Sequence, residues 1–234
     1  MLKPTDSNSS SNRNHLMKGA YETLRAAITS GELQPRDRLY ETVLAKKLKM
    51  SRTPIREALQ RLVDEGLLEA GTDGVHVAAL SVKDIRSLEQ TNRALQSLAA
   101  ELAASEGSAD DVAKLEEFMV RMEACASADD LDGWIDADQE IHRHLFHMSG
   151  NRWLRKLLLQ MESLIGRVRH IGVRGPARGR IKAATYEHRA IVDAIKSRDA
   201  EAARQAMHKH LMVVEQHLIG ILETFVIPWK GDRL

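Results

Sequence analysis

From Val82 almost to the C-terminus, apolar residues return every three or four positions with hardly a break, and that period belongs to the α-helix. Six amphipathic segments follow one another, near 82–106, 110–127, 131–149, 151–173, 178–197 and 199–226. Stripes such as Leu88/Leu95/Leu98/Leu102 and Leu154/Leu157/Leu158/Met161/Leu164/Ile165/Val168 carry the pattern. Asp110 and Asp199 are expected to cap helix starts, and Gly107 and Gly150 to end helices. No strand pattern interrupts them. The expected body is therefore an antiparallel six-helix bundle of about 145 residues, large enough for its own core. Composition agrees, since five prolines, fourteen glycines and nine aromatics among 234 residues suit helices better than a sandwich or barrel. Almost all the Leu, Ile, Met and Val residues in these stripes are expected to be core.

The first 80 residues read differently. Met1 to Asn14 is Ser/Asn-rich and lacks the apolar centre of a signal peptide, so residues 1–14 are expected to form a disordered tail. A helix is expected from about His15 to Ser30, with Gly31 stopping it, and a short one around Glu41–Leu48. Ser51 is expected to cap a third, Arg52 to Glu65, in whose first turn Pro54 is tolerated. Leu67–Glu69 and Val75–Ala79 flank Gly71-Thr72-Asp73-Gly74, a hairpin signature. Three small helices and a hairpin describe a winged helix-turn-helix. The predicted organisation is a tail (1–14), a winged helix (15–80), an all-helical domain (81–227) and a C-terminal tail (228–234).

Overall charge is nearly balanced, at +1, but it is not evenly spread. Between Arg36 and Arg61 eight basic residues face three acidic ones, a net +5 in 26 residues. On the third helix Ile55, Ala58, Leu59 and Leu62 make one apolar face, while Arg52, Arg56 and Gln60, at i, i+4 and i+8, lie on another. Such a helix can pack against its neighbours and still present planar guanidiniums outward. Those forks pair with guanine O6 and N7 or grip phosphate. By spacing alone, a solvated basic face is an equal reading.

Four polar residues do not suit a plain bundle. Asp138 and His142 share one face of the third bundle segment, His188 lies on the fifth and His210 on the sixth. Antiparallel packing can gather them around one cavity, where a carboxylate and three neutral imidazoles would suit Zn²⁺, Ni²⁺ or Mn²⁺. The competing reading is that ten histidines in a chain of this length are mostly ordinary surface or core residues.

The run Leu33-Gln34-Pro35, Leu39-Tyr40-Glu41, Leu44-Ala45-Lys46-Lys47-Leu48, Ser51-Arg52-Thr53-Pro54-Ile55-Arg56-Glu57-Ala58-Leu59 and Glu65-Gly66-Leu67 closely resembles the DNA-binding domain of GntR-family transcription regulators. The resemblance implies that Arg52 and Arg56 touch operator bases, that Thr53 supports them at the backbone, and that Gly74 is the wing tip entering the minor groove. Lys49 and Gln60 join the expected DNA-facing set. Arg36 and Lys49 stand where the family usually has Gly, and Thr42 where some relatives carry a further Arg. Downstream, Asp138-x-x-x-His142, Met148-Ser149-Gly150-Asn151, Tyr186-Glu187-His188-Arg189 and Met207-His208-Lys209-His210 resemble the FCD effector domain of the FadR subfamily. Six helices point to its VanR-like branch. That likeness implies a divalent ion held by Asp138, His142, His188 and His210, and a small carboxylate effector reached by Arg93 and Asn151. Gln96 replaces an acidic residue usual in that family, and His144, His147, His208 and His217 are read as solvated or neighbouring groups.

The function implied is a homodimeric, metabolite-responsive regulator, a repressor, acting on a pseudo-palindromic duplex operator. Two alternatives remain at this level. The ion itself is the signal, or the centre belongs to a metal-dependent hydrolase, against which stands the lack of His-Glu-x-x-His, Gly-x-Ser-x-Gly or a phosphate loop. A single cysteine, Cys125, suits a reducing compartment, and no apolar run is long enough for a membrane span. A cytoplasmic protein with no membrane partner is expected.

Overall fold

The computed structural model describes residues 7–173 and 179–224, with side chains from 15 to 166 and from 179 to 220. The expected C-terminal tail, the first six residues and the Val168 side chain lie outside these. The chain divides into two compact units between Ser81 and Val82.

The first unit runs α1 (Ser7–Thr29), β1 (Arg38–Leu39), α2 (Glu41–Leu48), α3 (Arg52–Asp64), β2 (Leu68–Gly71) and β3 (Gly74–Val77). Helix α1 begins at Ser7, so part of the expected polar tail is helical. Its buried face, Ala20, Tyr21, Leu24 and Ile28, packs on α3, which buries Ile55, Ala58, Leu59 and Leu62. Tyr21 adds a polar latch: its hydroxyl donates to the Glu65 carboxylate at 2.7 Å, and the Arg61 guanidinium lies over its ring. Burial, then the Glu65 bond, pushes the Tyr21 hydroxyl above its usual pKa.

Ser51 takes the N-cap position of α3, with extended backbone, but its side chain makes no capping hydrogen bond. Pro54 removes one of the two amides it could bond. A capping hydroxyl accepts from the second or third helical amide, and the third position here is a proline without one.

The wing is a three-stranded antiparallel sheet in the order β1-β3-β2, rather than a hairpin alone. Strand β1 is two residues long, too short to show alternation in a sequence, and it exists by pairing with β3.

The second unit contains α4 (Val82–Glu106), α5 (Ala109–Ala128), α6 (Leu131–Met148), α7 (Arg152–Val173), α8 (Ile181–Lys196) and α9 (Ala200–Thr224). These are the six expected segments. Helix α4 packs along α9 and against α6, α7 and α8; α5 lies on α6 and α8, and α8 on α9. Their shared core includes Leu115, Met119, Met122, Ile141, Leu145, Ile191, Ile195 and Leu211. The cap of α5 is Ser108, not Asp110: Ser108 Oγ accepts from the Asp111 amide, and the Asp111 carboxylate accepts from the Ser108 amide. A reciprocal box satisfies two helix-end donors, which Asp110, inside the first turn, cannot do.

The stripe on α7 is wider than the face it buries. Leu154, Leu158 and Ile165 are interior, whereas Leu157, expected in the core, is 49% exposed beside Trp153 at 61%. Leu98 on α4 is likewise exposed. Among the described residues no helix is long and apolar enough to cross a membrane.

Candidate nucleic-acid interface and metal centre

Helix α3 is sharply two-faced. Arg52, Thr53, Arg56 and Gln60 are exposed, opposite the buried Pro54, Ile55, Ala58 and Leu59. Arg56 does not swing freely. Its Nε and Nη2 donate to the two carboxylate oxygens of Glu41, at the start of α2, both at 2.9 Å. That bond holds Glu41 below the usual carboxylate range and raises Arg56 above its own. Gln60 donates to Asp64 at 2.9 Å. Sequence reasoning missed Glu41. The only available signal was an acid opening a basic segment.

Arg36 (φ 72°) and Lys49 (φ 54°) both adopt the left-handed conformation. These are the two positions where the GntR resemblance calls for glycine. The backbone bend is kept although its usual residue is gone, at about 1–2 kcal/mol of local strain for each non-glycine residue. Exposed Lys49, which closes α2, carries a charge next to α3 in exchange. Lys49→Gly is therefore expected to raise thermal stability by up to about 1 kcal/mol, since glycine's own entropy offsets part of the gain. The same change should weaken DNA binding evenly across sequences and lower the salt slope by about one. Calorimetry and salt-series titration check both signs.

In the helical unit, Asp138 and His142 come from α6, His188 from α8 and His210 from α9, all buried. One ring nitrogen from each histidine lies within 4.8 Å of those of the other two. The Nε2 atoms of His142 and His188 are 3.3 Å apart, and Asp138 Oδ1 is 3.1 Å from His188 Nε2.

Each imidazole is held by its other nitrogen. His142 Nδ1 meets Gln96 Oε1 at 2.6 Å, His188 Nδ1 meets the Ala184 carbonyl at 2.8 Å, and His210 Nδ1 meets Glu187 Oε2 at 2.8 Å. All three acceptors call for a proton on Nδ1, leaving Nε2 of each ring for the cluster. Glu187 is anchored in turn by Arg180 at 2.8 Å. Imidazoles oriented through their far nitrogen by an amide, a carbonyl and a carboxylate, with a carboxylate alongside, fit a borderline divalent cation. Trp134 stands edge-on to His188 and donates its indole N–H to Thr185 at 2.8 Å, closing that side with a satisfied apolar wall. Gln96, the departure from the family pattern, continues into a buried chain in which Gln96 donates to Asn92 and Asn92 donates to Glu89.

The two residues expected to reach an effector are engaged elsewhere. Arg93 forms an ion pair with Glu215 across α4 and α9. Asn151 caps α7, its side-chain oxygen accepting from the amides of Trp153 and Leu154 at 3.1 Å. Of the histidines read as bystanders, His144 accompanies the Asp111 carbonyl and Phe118, and burial holds the His217 imidazole below its usual value.

A winged helix-turn-helix with an arginine-bearing third helix, on one chain with an all-helical unit enclosing a histidine cluster, has the architecture of a DNA-binding regulator. Residues 16–74 match the family model described as bacterial regulatory proteins, gntR family, and residues 88–212 match the FCD domain. The chain belongs to the GntR family and carries an FCD domain. It is 32% identical over 205 residues to the uncharacterised HTH-type transcriptional regulator YdhC of Bacillus subtilis (strain 168), covering 87% of this chain and 91% of that one. It is 25% identical to the HTH-type transcriptional repressor GlaR of Escherichia coli (strain K12), over 86% of this chain and 96% of the other. Among solved structures, E. coli McbR/YncC shares the fold with a TM-score of 0.75 at 22% identity, covering 88% of this chain and 97% of its own. The family and these relatives are transcription regulators, not enzymes.

Proposed function

We propose that the protein is a metabolite-responsive repressor of the FadR subfamily, VanR-like branch, which acts in the cytoplasm as a homodimer on a pseudo-palindromic operator. Residues 15–80 bind DNA, and 81–227 bind the effector and dimerise. Arg52 and Arg56 read bases, Thr53 and Lys49 hold the backbone, Gln60 extends the same face and Gly74 shapes the wing. Asp138, His142, His188 and His210 hold Zn²⁺, Ni²⁺ or Mn²⁺, and a small carboxylate completes the coordination as the signal. Exposed Trp153 and Leu157 on α7 offer apolar surface for a second copy to cover. The name of GlaR supports repression.

One observation carries the reading: three clustered, buried imidazoles with Nδ1 committed, the Nε2 atoms of His142 and His188 3.3 Å apart, on a chain whose other unit binds DNA. For a carboxylate to act as the signal it must bind the operator-competent and released states with different affinity. Operator titrations with chelated protein, with each metal restored, and with metal plus a panel of carboxylic acids test this. Release by an acid only when metal is present is the expected result. Release by metal alone, whatever the acid, would make the ion the signal instead, a reading the geometry also accommodates.

A further inference from the structure

The tip of the wing hairpin carries one charged residue of its own, Asp73, and that charge has the wrong sign for DNA. Strand β3 is central, and Arg38, His76 and Glu69 stand directly opposite one another across the sheet, so they share a face. The adjacent row, Leu39, Val75 and Ala70, points the other way, and Leu39 is buried. Toward the tip the pairing ends on Gly71 opposite Gly74, a pair without side chains. The Arg38 guanidinium fills the space that Gly74 leaves. A Cβ at Gly74 would lie 3.3 Å from Arg38 Nε and 3.6 Å from Nη2. Glycine is favoured there by its φ of +133°, and its bare Cα lets the cation lie close over it. Arg38 also lies over the Tyr40 ring, 4.8 Å from its centroid, and its Nη1 is 3.5 Å from Asp73 Oδ2. His76 Nε2 meets the other oxygen of Asp73 at 2.8 Å.

We propose that Arg38 is the wing's groove reader, its guanidinium entering a narrow, A·T-rich minor groove beside the half-site read by α3. The proposal rests on α3 occupying the major groove. A tip bearing only Asp73 is repelled by the phosphates on both rims. With Arg38 over Gly74 the approaching surface becomes a planar cation, weakly hydrated and suited to the strong negative potential of a narrow minor groove. The Gly74 backbone, the Tyr40 ring and Asp73 already hold the side chain near the tip, so little rotamer freedom remains to be lost on binding. His76 Nε2 meets the same carboxylate from the other side. Glu69, on the far side of His76, completes the charged groups on this face.

Selection from a duplex library randomised across core and flanks, using the full-length protein, tests the assignment. The wild type is expected to enrich A·T pairs on either side of its core. Arg38→Ala should keep the core, select flanks indifferently and bind the wild-type duplex about 10-fold more weakly. Arg38→Lys should keep the salt dependence while losing most of the flank preference. Arg38→Ala selecting the same A·T flanks with unchanged affinity overturns the proposal. So does simultaneous loss of core and flank preference in Arg38→Lys, which would make the side chain structural. Failure of the α3 reading has another signature: Arg56→Ala would leave core selection intact whatever happens at the flanks.

Discussion

Arg56→Ala lowers affinity for the selected duplex roughly 5- to 150-fold and leaves the melting of the helical unit unchanged. Two facts set these expectations. Arg56 is exposed on α3, so its removal opens no cavity. Its partner Glu41 is itself near the surface, and exposed ion pairs contribute little to stability. The effect therefore falls on DNA. The Nε and Nη2 edge of the guanidinium is taken by Glu41, which leaves the Nη1 end to present donors to guanine O6 and N7. If that end reads a base, Glu41 positions it. Arg56→Lys should behave nearly like the alanine variant, because an ammonium offers neither the fork nor the second edge. Affinity measured against the core-matched duplex and against one with the contacted G·C pair replaced gives the outcome. Equal loss on both duplexes would mean that Arg56 grips phosphate and reads nothing.

The second large effect concerns the histidine centre. Wild-type protein loaded with Zn²⁺ or Ni²⁺ at about a thousand times its Kd gains about 4 kcal/mol by mass action. For a helical unit of this size that is a rise in Tm of roughly 8–16 °C. His188→Ala should abolish the rise. The ring is fully buried, so its loss also lowers the metal-free Tm, and the decisive quantity is the difference between chelated and loaded samples. Glu187→Gln preserves shape while weakening the pull on His210 Nδ1, and should reduce metal affinity about 10- to 100-fold without removing the site. A metal-induced shift in His188→Ala equal to that of the wild type would end the assignment of these residues as ligands.

Much of the architecture could be read from residue order because its signals are local. The six helical segments of the second unit follow from a period that each segment displays by itself, and the structure places them within a few residues of the expected ends. The face of α3 was legible for the same reason, since i, i+4 and i+8 fix which side chains stand together before any packing occurs. Asp138 with His142 was of this kind, whereas adding His188 and His210 rested on packing between helices and on the FCD resemblance.

Errors arose where one local signal stood for two. Asp110 looked like a cap, but Ser108 paired with Asp111 satisfies more donors. Ser51 occupies a capping position three residues before a proline, which removes one of the two amides it could bond. Leu157 belongs to an apolar stripe by spacing, yet the stripe is broader than the neighbour it meets.

Sequence by itself determined the helical periods, the two-unit division of pattern and charge, the exposed arginines of α3 and the types of residue at the histidine cluster. Tertiary structure alone decided which groups share a bond: Glu41 with Arg56, Arg93 with Glu215, Gln96 and Glu187 behind the imidazoles, Arg38 over Gly74. The reason is geometric. A period constrains a side chain's direction along its own element, whereas a hydrogen bond or ion pair between elements depends on their separation and angle, which only the packed fold supplies.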